Sequence, residues 1–202
     1  VIPLDRLGDY TDGIERINIE LSLSNKLALC AALGAFFAGP ALAHVWGPTD
    51  EVRPAQEEID AKTDEAQSLV DAVRARWQGL QDRIDATFPA LQDHSVVGSW
   101  KTELKAPLTE LFAGRAFAPV LARCTAIHRE VLHSRVFVAL HMHAGDGNVH
   151  TNIPVNSDDY EMLKEANAAV ARIMALARSL DGVISGEHGI GITKLPYLTP
   201  AE

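Results

Sequence analysis

The stretch from Arg135 to Val155 confines the chain to folds that contain an antiparallel strand pair. Arg135–Met142 (Arg-Val-Phe-Val-Ala-Leu-His-Met) is apolar and β-branched, the composition of a buried strand. Asn148–Val155 is a second strand, in which Val149, Thr151, Ile153 and Val155 alternate with Asn148, His150, Asn152 and Pro154. Between them lies Ala144-Gly145-Asp146-Gly147, and Asp-Gly is a strong hairpin signal. With Asp146 and Gly147 as the central turn residues, Gly145 faces Asn148, His143 faces His150 and His141 faces Asn152. Directly opposed residues share a sheet face, with Cβ atoms about 4.5–5.5 Å apart.

Helical patterns surround this hairpin. Asp158–Leu180 reads as a helix capped by Asp158 with Glu161 at its third position, with a stripe of Leu163, Ala166, Val170, Ile173, Ala177 and Leu180. Gly182 supplies its stop, and a short strand, Val183-Ile184, follows. Upstream, residues 16–24 alternate strictly between polar and apolar, which predicts a half-buried strand. A helix over Lys26–Ala38 comes next, ended by Gly39-Pro40, and a loop over 39–53. Pro54–Phe88 is a long helical pattern with apolar positions at 59, 66, 70, 73, 77, 80 and 84, closed by Pro89. A second helical region runs from about Thr102 to His133 and restarts at Pro119, with Val120, Cys124, Ile127 and Val131 on one side. The two regions read as an antiparallel helical insertion spanning about 40–133.

Composition bounds what such a chain does. It has 202 residues, is 47% hydrophobic and 22% charged, and carries a formal charge of −9. That suits one large domain with a real core, and the acidity argues against nucleic acid as a partner. Cys30 and Cys124 lie far apart in no CxxC spacing, which excludes a thiolate zinc cage or an iron–sulfur cluster within this segment and argues against a disulfide scaffold. Leu27–Trp46 is the most membrane-like stretch, but Gly34, Gly39, Pro40 and His44 interrupt it, so no transmembrane span is expected. The chain opens at Val1 without methionine and stops at Ala201-Glu202, and it reads as a piece of something longer.

The chemistry concentrates after residue 134. Opposed across the ladder, His143 and His150 present two imidazoles to one cation at ~2.0–2.1 Å. Glu187, in the glycine-rich Ser185-Gly-Glu-His-Gly-Ile-Gly191, is the candidate third metal ligand. Two histidines and a carboxylate suit zinc, manganese or ferrous iron; ligand type alone does not choose, and zinc is carried forward first. His188 is then free for acid–base work near neutral pH. His141 reads as a flanking hydrogen-bonding residue, and His44, His94, His128 and His133 as ordinary loop or helix positions. Asp146 and Gly147 are turn-makers, and Lys101 beside Trp100 is a solvated lysine.

In His143-Ala-Gly-Asp-Gly-Asn-Val-His150 and Ser185-Gly-Glu-His-Gly-Ile-Gly191 the chain resembles the C-terminal domain of FAD-linked oxidases, a family that includes D-lactate dehydrogenase, the glycolate oxidase flavin subunit and D-2-hydroxyglutarate dehydrogenase. Val1-Ile-Pro-Leu-Asp-Arg-Leu7 resembles the segment that opens that domain. Asp12–Lys26 is similar to the large bacterial members that append iron–sulfur modules. The resemblance covers about residues 1–38 and 95–200. It implies an α+β fold, a ferredoxin-like antiparallel sheet with helices on one face, in addition to the helical insertion. It also implies that His143, His150 and Glu187 hold a divalent metal, that His188 contacts substrate and acts as base, that Asn152 binds the substrate carboxylate or hydroxyl, and that Asn148 contacts the cofactor. FAD would be bound mainly by a preceding domain of the same chain.

The expected function is therefore oxidation of a small D-2-hydroxy acid (D-lactate, D-2-hydroxyglutarate or glycolate class) to the 2-oxo acid, with electrons passed to a downstream acceptor. The isolated segment is expected to be inactive. A cytoplasmic location is expected, peripheral association of the full-length protein with the inner membrane included. Two rival readings are a metal-dependent hydrolase on the same triad, and a non-enzymatic interaction module working through the helical insertion.

Overall fold

A computed structural model describes residues 1–47, 53–184 and 194–198. The fold is α+β and mostly helical. It divides into two compact units, one formed by Val1–Leu21 with the chain from Val136 onward, the other by Ser22–Arg135.

Helix α1 spans Leu7–Ala38 and contributes to both units. It contains residues 16–24, where the alternation predicts a strand. The longer signal is helical: Tyr10, Ile14, Ile17 and Leu21 are buried at spacings of four, three and four, while Ile19 is only half-buried. No glycine or proline interrupts residues 14–33, so helical hydrogen bonding propagates straight through the alternating segment. By length and composition alone, Leu4–Ala38 is long and apolar enough to cross a membrane. That stretch begins well before the Leu27–Trp46 segment singled out by sequence. Its apolar stripes are built into the cores of the two units.

In the unit Ser22–Arg135, helix α2 (Gln56–Asp82) buries Ile59, Ala66, Val70, Val73 and Trp77, the stripe anticipated. The long helix breaks at Arg83 (φ −113°, ψ 32°), and Pro89 lies inside the next helix, α3 (Ile84–Gln92), instead of closing the first. A turn of π-helix, Trp100–Lys105, leads to α4 (Ala106–Leu111), and α5 (Ala118–His133) starts with Pro119 in its first turn. Glu103 pins the π-turn to α2: its carboxylate accepts from Trp77 Nε1 at 3.0 Å and from the Ser99 backbone N–H at 2.6 Å. Arg76 pairs with the same carboxylate at 3.2 Å. Cys30 and Cys124 are free thiols buried in this core, and burial pushes them up to about 11 and about 12. Both stay protonated and unreactive near neutral pH.

In the other unit, β1 (Ala139–His143) pairs antiparallel with β2 (Asn148–Asn152), and α6 (Tyr160–Ser179) packs its stripe of Met162, Ala166, Ala169, Ile173 and Ala177 into the core. The centre of that stripe is Met162 and Ala169; Leu163 and Val170 flank it half-buried. The N-cap is Asp159, not Asp158: its carboxylate accepts from Met162 N at 3.0 Å. At the other end Asp181 takes the left-handed position (φ 57°), one residue before the predicted Gly182. Asp181 N bonds Arg178 O and Gly182 N bonds Ala177 O, which closes the helix as a Schellman motif. Gly182 serves close approach instead, since a Cβ there would sit 2.6 Å from Ile2 Cδ1. Val183 exchanges two backbone hydrogen bonds with Val1, although no strand forms over the predicted Val183-Ile184.

Asn18 of α1 reads the backbone leading into β1. Its Nδ2 donates to Val138 O at 2.9 Å and its Oδ1 accepts from Val138 N at 2.8 Å, as a neighbouring strand would. Val138 is 4% exposed, so removing the amide strands two backbone groups away from water. Asn18→Ala is expected to cost about 2 kcal/mol, read as a lower denaturation midpoint. Asn18→Asp, which keeps the acceptor and loses the donor, is expected to fall between alanine and the native residue.

Candidate functional site

The hairpin places the candidate residues, with a register that corrects the one predicted. His141 faces His150, His143 faces Asn148 and Ala139 faces Asn152. A two-residue turn on Asp146-Gly147 would need positive φ at both positions. Only Gly147 adopts it (φ 64°, ψ 13°), while Ala144–Asp146 form a 3-10 turn. The turn centre therefore moves one residue towards β1, and each partner shifts by two. Because side chains alternate with period two, a shift of two leaves every residue on its own face.

Apolar side chains cover the inner face: Leu140, Val149 and Ile153 pack against the core formed by α1 and α6. The other face carries His141, His143, Asn148, His150 and Asn152, the histidines of β1 and Asn152 being exposed, His150 and Asn148 half-buried. The ring centres of His143 and His150 are 5.9 Å apart, those of His141 and His143 5.4 Å, and those of His141 and His150 6.3 Å. A ligating ring has its centre about 3.2 Å from the metal, so two rings on one ion stand at most ~6.4 Å apart. The donor chemistry and spacing of His143 and His150 thus fit a shared cation, reached across a diagonal instead of face to face. Among the described residues no three His, Cys, Asp or Glu side chains form a metal-holding group. Glu187 and His188 lie outside the described residues.

Gly147 locks this arrangement to the chain's first residues. It is buried, its carbonyl accepts from Ile2 N at 2.8 Å, and a Cβ on it would lie 2.2 Å from Ile2 O.

The remaining histidines belong to the helical unit. His44 Nδ1 lies 2.8 Å from Pro40 O in a local turn, and His94 holds a left-handed backbone (φ 61°). His128 stacks on Trp100 at 4.5 Å, and burial, with Lys105 nearby, lowers its affinity for a proton. His133 closes α5. His141, which sequence reasoning gives a flanking hydrogen-bonding role, lies on the same face as His143. Its signal is the His-x-His spacing, which on a strand puts both rings on one face.

The outer face of the hairpin in this α+β domain thus carries three imidazoles and two amides. The chain belongs to the family of FAD linked oxidases, C-terminal domain, whose model matches residues 98–201. It is 34% identical over 99 residues to a mitochondrial D-lactate dehydrogenase [cytochrome] of Kluyveromyces lactis, covering 49% of this chain and 15% of that protein. It is 41% identical over 56 residues to the glycolate oxidase subunit GlcD of Bacillus subtilis, covering 28% of this chain and 12% of that protein. Over 56 residues it is 50% identical to a D-lactate dehydrogenase of Archaeoglobus fulgidus, again 28% of this chain and 12% of that protein. The match thus spans about a seventh of those relatives' lengths or less. No solved structure matches the chain.

Proposed function

We propose that this chain is the substrate- and metal-binding part of a flavin-dependent dehydrogenase that oxidises a D-2-hydroxy acid of the D-lactate, D-2-hydroxyglutarate or glycolate class to the 2-oxo acid. The observation that carries the reading is the pair of imidazoles, His143 and His150, at cation-sharing distance on the open face of the hairpin. The family match and the D-lactate dehydrogenase and glycolate oxidase relatives support it from the side of sequence. In this reading the domain is a ferredoxin-like cap, and the helical stretch from about 40 to 133 is carried on it as an insertion. FAD sits mainly on another domain of the same protein, and electrons leave to a separate acceptor. The full-length protein works in the cytoplasm, peripheral association with the inner membrane included.

His143, His150 and Glu187 would hold the cation, with zinc, manganese and ferrous iron all suited to such a set. When bound, the cation would supply Lewis acidity to the substrate's oxygens, and the flavin would supply the hydride acceptor. Asn152 would fix the carboxylate or hydroxyl through its amide, and Asn148 would contact the cofactor. His188 takes the hydroxyl proton as general base, a step suited to an imidazole near neutral pH. The apolar inner face of the hairpin contributes rigidity, holding both strands on the α1–α6 core.

The test is elemental analysis of the full-length protein beside its visible spectrum, followed by mixing with each enantiomer of lactate and 2-hydroxyglutarate and with glycolate. The expected result is a stoichiometric divalent metal, an oxidised-flavin spectrum, and bleaching by one of these acids, the D form where it is chiral. A metal-free protein at full rate, or bleaching by L acids alone, overturns the proposal.

A further inference from the structure

We propose that His141 is a substrate-positioning residue of this site, an imidazole N–H donor to the carboxylate of the bound hydroxy acid; this deepens the reading just given and rests on it. The observed register puts His141 in the middle of the open face. It stands directly opposite His150, two residues along the same strand from His143, and diagonal to Asn152. Its ring centre lies 5.4 Å from that of His143 and 6.3 Å from that of His150. It is therefore ringed by three positions assigned to metal and substrate, on the side of the sheet that carries no core packing.

Two observations separate this role from the alternatives. His141 is exposed, and the buried core of its unit lies behind the opposite face, so its ring does not fill that core. Among the described residues the three imidazoles do not form a three-ligand metal group, and the proposed function gives the ion His143 and His150, which leaves His141 beside it. A neutral imidazole always carries one N–H, whichever nitrogen bears the proton, and so offers a donor to an anionic oxygen. The ring meets that of His143 edge to face, with an interplanar angle of 88°.

The experiment compares His141→Ala, His141→Gln and His143→Ala in the full-length flavoprotein. It measures metal content, steady-state kinetics with the best of D-lactate, glycolate and D-2-hydroxyglutarate, and oxalate binding by perturbation of the flavin spectrum. A charge-assisted hydrogen bond lost from a carboxylate corresponds to roughly 10- to 100-fold in binding. His141→Ala is expected to raise KM and the oxalate Kd by at least about tenfold, with kcat within about twofold and metal content unchanged. His141→Gln, which restores an N–H donor, is expected to recover part of the binding. Unchanged KM and Kd overturn the proposal, as does parallel loss of metal, which would make His141 a ligand. If His143→Ala keeps both its metal and its rate, the failure lies in the reading of the site itself, a result that the His141 variants alone do not give.

Discussion

Replacing His143 by alanine in the full-length protein is expected to abolish metal loading and lower kcat/KM by on the order of 10³-fold, about 4 kcal/mol of transition-state stabilisation. His143 and His150 are the pair assigned to the ion, on opposite strands with ring centres 5.9 Å apart, and removing one leaves that pair with a single ring. Protein stability should change little. The His143 side chain is exposed and contributes nothing to the core behind the sheet. Loss of rate with an unchanged unfolding midpoint is thus the signature of a site residue. Elemental analysis, turnover and thermal unfolding on the same preparation decide the matter. A variant that unfolds early assigns His143 to structure, and one that keeps metal and rate removes it from the site.

The parts of this molecule legible in its sequence are those where one periodicity extends over many residues. The stripe of α2 is seen at Ile59, Ala66, Val70, Val73 and Trp77 because its 4-3 spacing is sustained over a long helix. The alternation at 16–24 misleads because nine residues are too short to outweigh the helical stripe of Tyr10, Ile14 and Ile17 that runs into it. Errors by one residue have local causes. Asp159 lies nearer than Asp158 to the helix's first free N–H groups, and Asp181 tolerates a left-handed backbone that sequence reasoning reserved for Gly182. The hold of Asn18 on Val138 joins positions 120 apart and leaves no local trace at all. For the site, the sheet face was legible and the pairing was not, because period two survives a shift of two. Glu187 and His188 rest on the glycine-rich motif that surrounds them.

Gly147→Ala is expected to be the most damaging single-methyl change in the hairpin, costing about 3 kcal/mol or more. Left-handed backbone at φ 64° costs a β-carbon residue roughly 1–2 kcal/mol. Crowding adds to it, since the new carbon would lie 2.2 Å from the Ile2 carbonyl oxygen, a backbone atom with no rotamer to yield. Relief requires Val1-Ile2 to move away, which breaks the 2.8 Å bond from Ile2 N to Gly147 O and exposes Ile2, otherwise 3% accessible. Gly145→Ala supplies the control: nothing lies within 4 Å of its Cβ, and its backbone is not left-handed, so its midpoint should stay within about 0.5 kcal/mol of the parent. Gly147→Asn separates the two causes, because asparagine accepts the left-handed region more readily but carries the same Cβ. If crowding dominates, asparagine is as damaging as alanine; recovery by asparagine would assign the cost to conformation. In either case the turn between His143 and Asn148 shifts, and with it the imidazole spacing across the hairpin. Gly147→Ala should therefore lose metal affinity even where it still folds, and an alanine variant with native stability and native metal content would break the link between this glycine and the site.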